Sequence, residues 1–143
     1  MHNESNTSLK NNSILIDRLS NIIPNIVDAF DPSEILIYGS YARGDNTEYS
    51  DIDIIIVAET SLRFQDRSIR AMNIIDQKDG DIAINPLVYT SDEFKEMLET
   101  KESFLVSAMS ESVLIWKREA GCDVRSQLEL PQLDSDFKKY VQS

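Results

Sequence analysis

Two aspartates, Asp51 and Asp53, stand two residues apart at the head of an apolar run, Ile54-Ile55-Ile56-Val57. Side chains on a strand alternate with period 2, so both carboxylates leave the same face, roughly 7 Å apart along the chain. Like charges so placed repel and require a nearby cation or solvent to offset them. Paired carboxylates are hard oxygen ligands of the kind Mg²⁺ prefers. Ten residues separate Asp51 from Gly39-Ser40, which closes another apolar run, Ile35-Leu36-Ile37-Tyr38. A Gly-Ser turn offers a hydroxyl and free backbone N–H groups, and a helix opening there would favour an anion such as a phosphate. Arg43 is the basic residue nearest in sequence and suits either a phosphate or a carboxylate. Metal-binding carboxylates beside a phosphate turn point to phosphoryl or nucleotidyl transfer, where positioning and charge stabilisation do most of the work.

Neither signal is specific alone. A Gly-Ser after a strand is usually a simple turn, and an Asp-x-Asp before a strand is usually a solvated cap. Arg43 is as readily an ordinary surface salt bridge. At this fixed spacing, however, the two motifs coincide by chance on the order of once in a thousand chains of this length. The stretch GSYARGDNTEYSDID, Gly39 to Asp53, resembles the signature of the DNA polymerase β-type nucleotidyltransferase superfamily: a GS pair, ten residues, then DxD. With Ala42-Arg43-Gly44 and Ser50 it is most similar to the minimal nucleotidyltransferases (MNT) of bacteria and archaea, the MntA-like antitoxins. Similarity in spacing continues to about Trp116.

That resemblance implies specific roles. Gly39 and Ser40, with Arg43, would bind nucleotide phosphate; Asp51 and Asp53 would be the catalytic, Mg²⁺-holding carboxylates; ATP would be the substrate. Many members of the family silence HEPN-domain RNase toxins by transferring AMP to a tyrosine, so a HEPN-type toxin is the implied partner. A third acid on a later strand completes the family's site, five residues before a Thr that opens a helix. Thr90-Ser91-Asp92-Glu93-Phe94 matches that helix start, with Thr90 or Ser91 as N-cap. Five residues back from Thr90 stands Asn85. Its amide can offer a metal a neutral oxygen, but it supplies neither charge nor a general base. Asp81 shares its parity but lies roughly 13 Å upstream along an extended strand.

Two functional expectations follow. One is a Mg²⁺-dependent nucleotidyltransferase that passes AMP from ATP to a hydroxyl on a partner protein. The other is an antitoxin of the same fold that neutralises its toxin by binding alone. Two repelling carboxylates kept on one face favour the first; Asn85, the acidity of the chain and its C-terminal tail favour the second.

The elements that must position these residues are legible from periodicity. Residues 1–8 are expected to be disordered. Apolar residues from Ile14 to Phe30 recur at spacings of three and four, an amphipathic helix over Leu9–Phe30 that Pro24 should kink or split. Strands are expected at Ile35–Tyr38, Asp51–Ala58, Asp81–Tyr89 and Ser112–Lys117, with a short helix at Ser40–Gly44. Further helices are expected at Ser61–Gln77 and within residues 92–109. Pro86 cannot donate to a ladder, so its strand should be an edge or carry a bulge. Trp116 reads as core ahead of bordering a pocket. The predicted fold class is α/β (α+β in strict usage): a small mixed sheet with helices packed on one side, resembling the polymerase β-type core. Residues 9–117 form that nucleotidyltransferase domain, and 118–143 a tail that is either a docking segment or a partly ordered terminus.

Composition narrows the setting. One domain is expected from 143 residues. No apolar run approaches the ~20 residues of a membrane span, so no membrane role is expected. A lone cysteine, Cys122, excludes an internal disulfide framework and makes a reducing cytoplasm the default. His2 is the only histidine, which argues against histidine-based catalysis. A net charge of −11 disfavours direct nucleic-acid binding by the free chain and suits a basic protein partner, or simply solubility.

Overall fold

The isoleucine-rich runs become the centre of a four-stranded sheet. The computed structural model describes residues 2–75 and 80–118. Its strands are β1 (Glu34–Tyr38), β2 (Ile52–Val57), β3 (Ile84–Tyr89) and β4 (Val113–Lys117), in the order β3-β2-β1-β4. β1 pairs antiparallel with both β2 and β4, whereas β2 and β3 run parallel. A parallel pair needs a crossover, and α3 (Phe64–Ile74) supplies it. β3 is an edge strand, as Pro86 requires, and Pro86 faces Ile54 with no shift of register. The remaining helices are α1 (His2–Phe30), α2 (Ser40–Arg43), α4 (Ser91–Glu99) and α5 (Ser103–Glu111).

The mixed α/β sheet is the one expected, but its helices cover both faces rather than one. Ile35, Ile37, Ile52, Ile54, Ile56 and Val88 pack with Leu15, Leu19, Ile22, Ile23 and Ile26 of α1 and Ala71 of α3. Strand residues of the opposite parity, Leu36, Ile55, Val57 and Tyr89, pack with Leu105 and Ala108 of α5 and with Phe94 and Met97 of α4. The unbroken run Ile54-Ile55-Ile56-Val57 fits this two-sided cover, because both parities are buried.

One other expectation changes. Residues 2–8, expected to be disordered, continue α1. Once a helix is nucleated, each further residue adds one hydrogen bond, so polar residues can extend it. Of the two outcomes expected at Pro24, a kink or a split, the split does not occur: Pro24 lies inside α1. The proline removes the N–H that would bond the Ser20 carbonyl. The apolar face around it, with Ile22, Ile23 and Ile26 at 0–2% exposure, holds the helix in place.

Trp116 is core, and a bulge between Ile35 and Leu36 in the β1–β4 register sets it opposite Ile35. Thr90 caps α4 in a reciprocal capping box with Glu93. Glu93 also pairs with Arg67 of α3, a buried guanidinium that donates to the Val88 carbonyl as well. Residues 119–143 lie outside the described residues, and with them Cys122 and nearly all of the expected docking tail.

Candidate active site

Register brings the polar residues together. Tyr38 of β1 is paired with Asp53 of β2, and Asp53 with Asn85 of β3, a row across three strands. The row belongs to the sheet face that α4 and α5 cover, at the end away from the Thr90 cap. Asp51 precedes the first residue of β2 rather than lying within it, yet it shares a hydrogen-bond donor with Asp53. The Asn85 amide nitrogen donates to Asp51 Oδ2 and to Asp53 Oδ1, each at 3.1 Å. Two N–H donors therefore hold the carboxylates together and offset part of their repulsion. Asp81 plays no part in this cluster: it lies before β3 and is 3.7 Å from Arg18 of α1.

Gly39 ends β1 with φ +81°, and a Cβ there would stand 2.6 Å from Asp53 Oδ2. Both the backbone conformation and this close approach demand glycine. α2 has only four residues, so the expected helix-terminus field for an anion is weak, and binding there rests on individual donors. Two of those donors are engaged. The Gly39 N–H and Arg43 Nη1 each donate to Glu111 Oε2 at 2.8 Å. Arg43 Nε also donates to Asp45 Oδ2 at 3.1 Å. Arg43 thus takes carboxylate partners, the surface salt bridge weighed against phosphate contact. Ser40 lines the same cleft, a cavity of about 530 Å³ walled by β1, the Gly39 turn and α5.

The electrostatics follow from burial. Desolvation raises Asp53 above the ordinary carboxylate range; Asp51 and Glu111 add to this, while Asn85 and Arg43 oppose it. The Tyr38 hydroxyl is pushed up to about 12 by burial, then by Asp53 and Tyr89, which keeps it neutral. A carboxylate whose charged form is disfavoured gains from a bound cation. Among the described residues, no three His, Cys, Asp or Glu side chains are grouped to hold a metal. Two carboxylates nonetheless fit Mg²⁺, which commonly takes one or two and completes its shell with water and phosphate oxygens. Asn85 would contribute its oxygen only after a flip of the amide that now presents nitrogen to both acids.

The nucleotidyltransferase domain family matches residues 17–114, more than half of the chain, from the middle of α1 to the start of β4. The chain belongs to that family. This nucleotidyltransferase is also 55% identical, over 31 residues, to a Methanocaldococcus jannaschii protein provisionally named a protein adenylyltransferase. That stretch is 22% of the present chain and 31% of the relative's length. Among solved structures, a nucleotidyltransferase-like protein of Sulfolobus solfataricus superposes with a TM-score of 0.57 at 24% identity, over 82% of this chain and 93% of the other. The shared feature is the fold. A toxin–antitoxin crystal structure with AMP-PNP aligns at TM-score 0.39 and 17% identity, over 92% and 90% of the two chains, too loosely to argue from.

Sequence reasoning missed Glu111. Nothing in a lone glutamate at a helix end marks it, since its two partners lie 72 and 68 residues away. Among the described residues, no helix is long and apolar enough to cross a membrane.

Proposed function

We propose that this nucleotidyltransferase transfers AMP from ATP to a hydroxyl on a partner protein, acting as antitoxin to a HEPN-type toxin in the cytoplasm. The observation that carries the reading is the meeting of Asp51 and Asp53 beside the Gly39-Ser40 turn, at the edge of an open cleft. In the proposed step, the acceptor oxygen bonds to the α-phosphorus of ATP. The bond from that phosphorus to the bridging oxygen breaks, pyrophosphate leaves, and the hydroxyl proton passes to solvent. Mg²⁺, held by Asp51 and Asp53, would supply charge neutralisation on the phosphates. Gly39 N–H, Ser40 and Arg43 would orient phosphate oxygens. The AMP donor, the acceptor and the HEPN partner derive from the resemblance of Gly39–Asp53 to minimal nucleotidyltransferases.

A second reading, neutralisation by binding alone, is favoured by Asn85, whose amide cross-links the two acids at the position where the family has a carboxylate. Whole-protein mass spectrometry of a cognate HEPN-domain partner, incubated with this protein, ATP and Mg²⁺, separates the two. An AMP-sized mass gain is expected on the partner. Asp51→Ala with Asp53→Ala should reduce it roughly a thousandfold or more, since metal-held charge stabilisation contributes several kcal/mol to such steps. A stable complex with no mass gain would leave only the binding reading.

A further inference from the structure

The loop between α2 and β2 carries a hydroxyl beside the carboxylates. Residues Thr47 to Ser50, just before Asp51, form a β-turn in which the Ser50 N–H donates to the Thr47 carbonyl at 3.1 Å. Side chains tie the turn again: the Thr47 N–H donates to Ser50 Oγ at 2.8 Å, and the Tyr49 N–H to Thr47 Oγ1 at 3.2 Å. The Thr47 and Ser50 hydroxyls are thus engaged in the loop. Tyr49, at the third position of the turn, is left 85% exposed, more than any other large apolar or aromatic side chain among the described residues. Asp51 follows two residues later, so the two Cα atoms lie at most about 7 Å apart.

The other described tyrosines are poor acceptors. Tyr41 and Tyr89 are buried. Tyr38 lines the cleft, but its ring packs edge-to-face against Phe104, and its hydroxyl, pushed up to about 12 by burial, resists losing its proton.

We propose that Tyr49 is a self-modification site, where the chain transfers AMP to its own tyrosyl hydroxyl within one molecule. Tyr49 Oη bonds to the α-phosphorus of ATP and the bond from that phosphorus to the bridging oxygen breaks. Pyrophosphate leaves, the phenolic proton passes to solvent, and Tyr49 becomes a phosphodiester. A tether of two residues keeps the acceptor at high effective concentration. The adduct adds a negative charge next to Asp51 and the phosphate turn, so labelling repels the next triphosphate and limits later turnovers. This inference rests on the transferase reading above and adds an acceptor within the chain itself.

The test is mass spectrometry of the full chain incubated with ATP and Mg²⁺, without a partner. One AMP-sized gain is expected, and peptide mapping should place it on Tyr49 rather than on Tyr140. Tyr49→Phe, at an exposed position, should lose the gain, as should Asp51→Ala with Asp53→Ala. The labelled fraction at a given time should not change on dilution of the protein, because the step lies within one molecule. Calorimetry with Mg²⁺ and inorganic tripolyphosphate adds a readout free of turnover: the labelled protein should bind about threefold more weakly, the effect in water of one like charge about 7 Å away. Label on another residue, label that survives the double alanine variant, label that falls on dilution, or unchanged tripolyphosphate affinity would each overturn the proposal. A labelled HEPN-domain partner beside an unlabelled chain overturns it too, and leaves the transferase reading standing. Label on Tyr49 with none on the partner keeps the proposal and removes the partner as acceptor. No label on either protein removes both.

Discussion

The two faces of the sheet are made by the same strands and end differently. β2 sends Ile52, Ile54 and Ile56, each at 0% exposure, toward α1 and α3. It sends Asp53, Ile55 and Val57 the other way, toward α4 and α5. The first face is apolar from end to end and is covered by a long helix. The second is apolar where α4 and α5 press on it, through Phe94, Met97, Leu105 and Ala108, and beyond that cover stand Asp51, Asp53 and Asn85. The difference separates two tasks. A dry, fully covered face gives the fold its stability, while a face whose helical cover stops short can keep carboxylates near solvent and open to a ligand. Alternation along one strand makes this possible, because neighbouring residues serve opposite sides.

Substitutions can break or sharpen that division. The largest stability effect belongs to the covered face. Ile54→Ala removes a fully buried side chain and should cost about 2–5 kcal/mol in urea unfolding. In the fraction that stays folded, tripolyphosphate affinity should not change; a parallel loss of affinity would mean that the faces are not independent. Gly39→Ala comes next, because it strikes the open face and its backbone together. The left-handed φ alone should cost about 1–3 kcal/mol. The Cβ at 2.6 Å from Asp53 Oδ2 should also disturb anion binding in the cleft. Gly80→Ala is the control: its φ is +88° but a Cβ there meets nothing within 4 Å. It should lose comparable stability with no change in binding. If both glycine variants bind tripolyphosphate equally well, the close approach to Asp53 is immaterial.

The smallest effect lies at the end of the sheet away from the carboxylates. Arg67, bonded to Glu93, holds the Glu93 carboxyl below the usual range. A depressed carboxyl contributes stability above the ordinary carboxylate pKa and loses it as pH falls through the lowered folded value. Glu93→Gln, which keeps the capping-box geometry, should therefore cost up to about 1 kcal/mol at neutral pH, because the carboxylate is partly exposed. The gap to the parent protein should close on acidification. Thermal melts of both proteins across pH would check this; a gap that stays constant with pH would show that charge is not the cause.

Much of the scaffold was legible because it depends on near neighbours. Short β-branched runs gave four strands, i+3 and i+4 spacing gave α1, Thr90 marked a helix start, and Pro86 called for an edge or a bulge, of which the edge is what forms. The placement of all helices on one side went wrong although Ile54-Ile55-Ile56-Val57 carried the contrary sign, burial at both parities. The extent of α1 went wrong because polar composition alone does not stop a helix already under way.

For the site, the sequence by itself determined that Asp53 stands at the start of a strand with its carboxylate on the face opposite Ile52 and Ile54, with Asp51 two residues before it and a glycine turn at fixed spacing before both. Those are consequences of strand periodicity over a few residues. Only the tertiary structure decided that Asn85, 32 residues beyond Asp53, bridges both acids, and that Glu111, 72 residues beyond Gly39, accepts from its N–H. The first depends on the register of a parallel pair joined through a helix, and the second on how far α5 runs before it ends. Neither is set by local pattern, because each is fixed by the packing of segments distant in the chain.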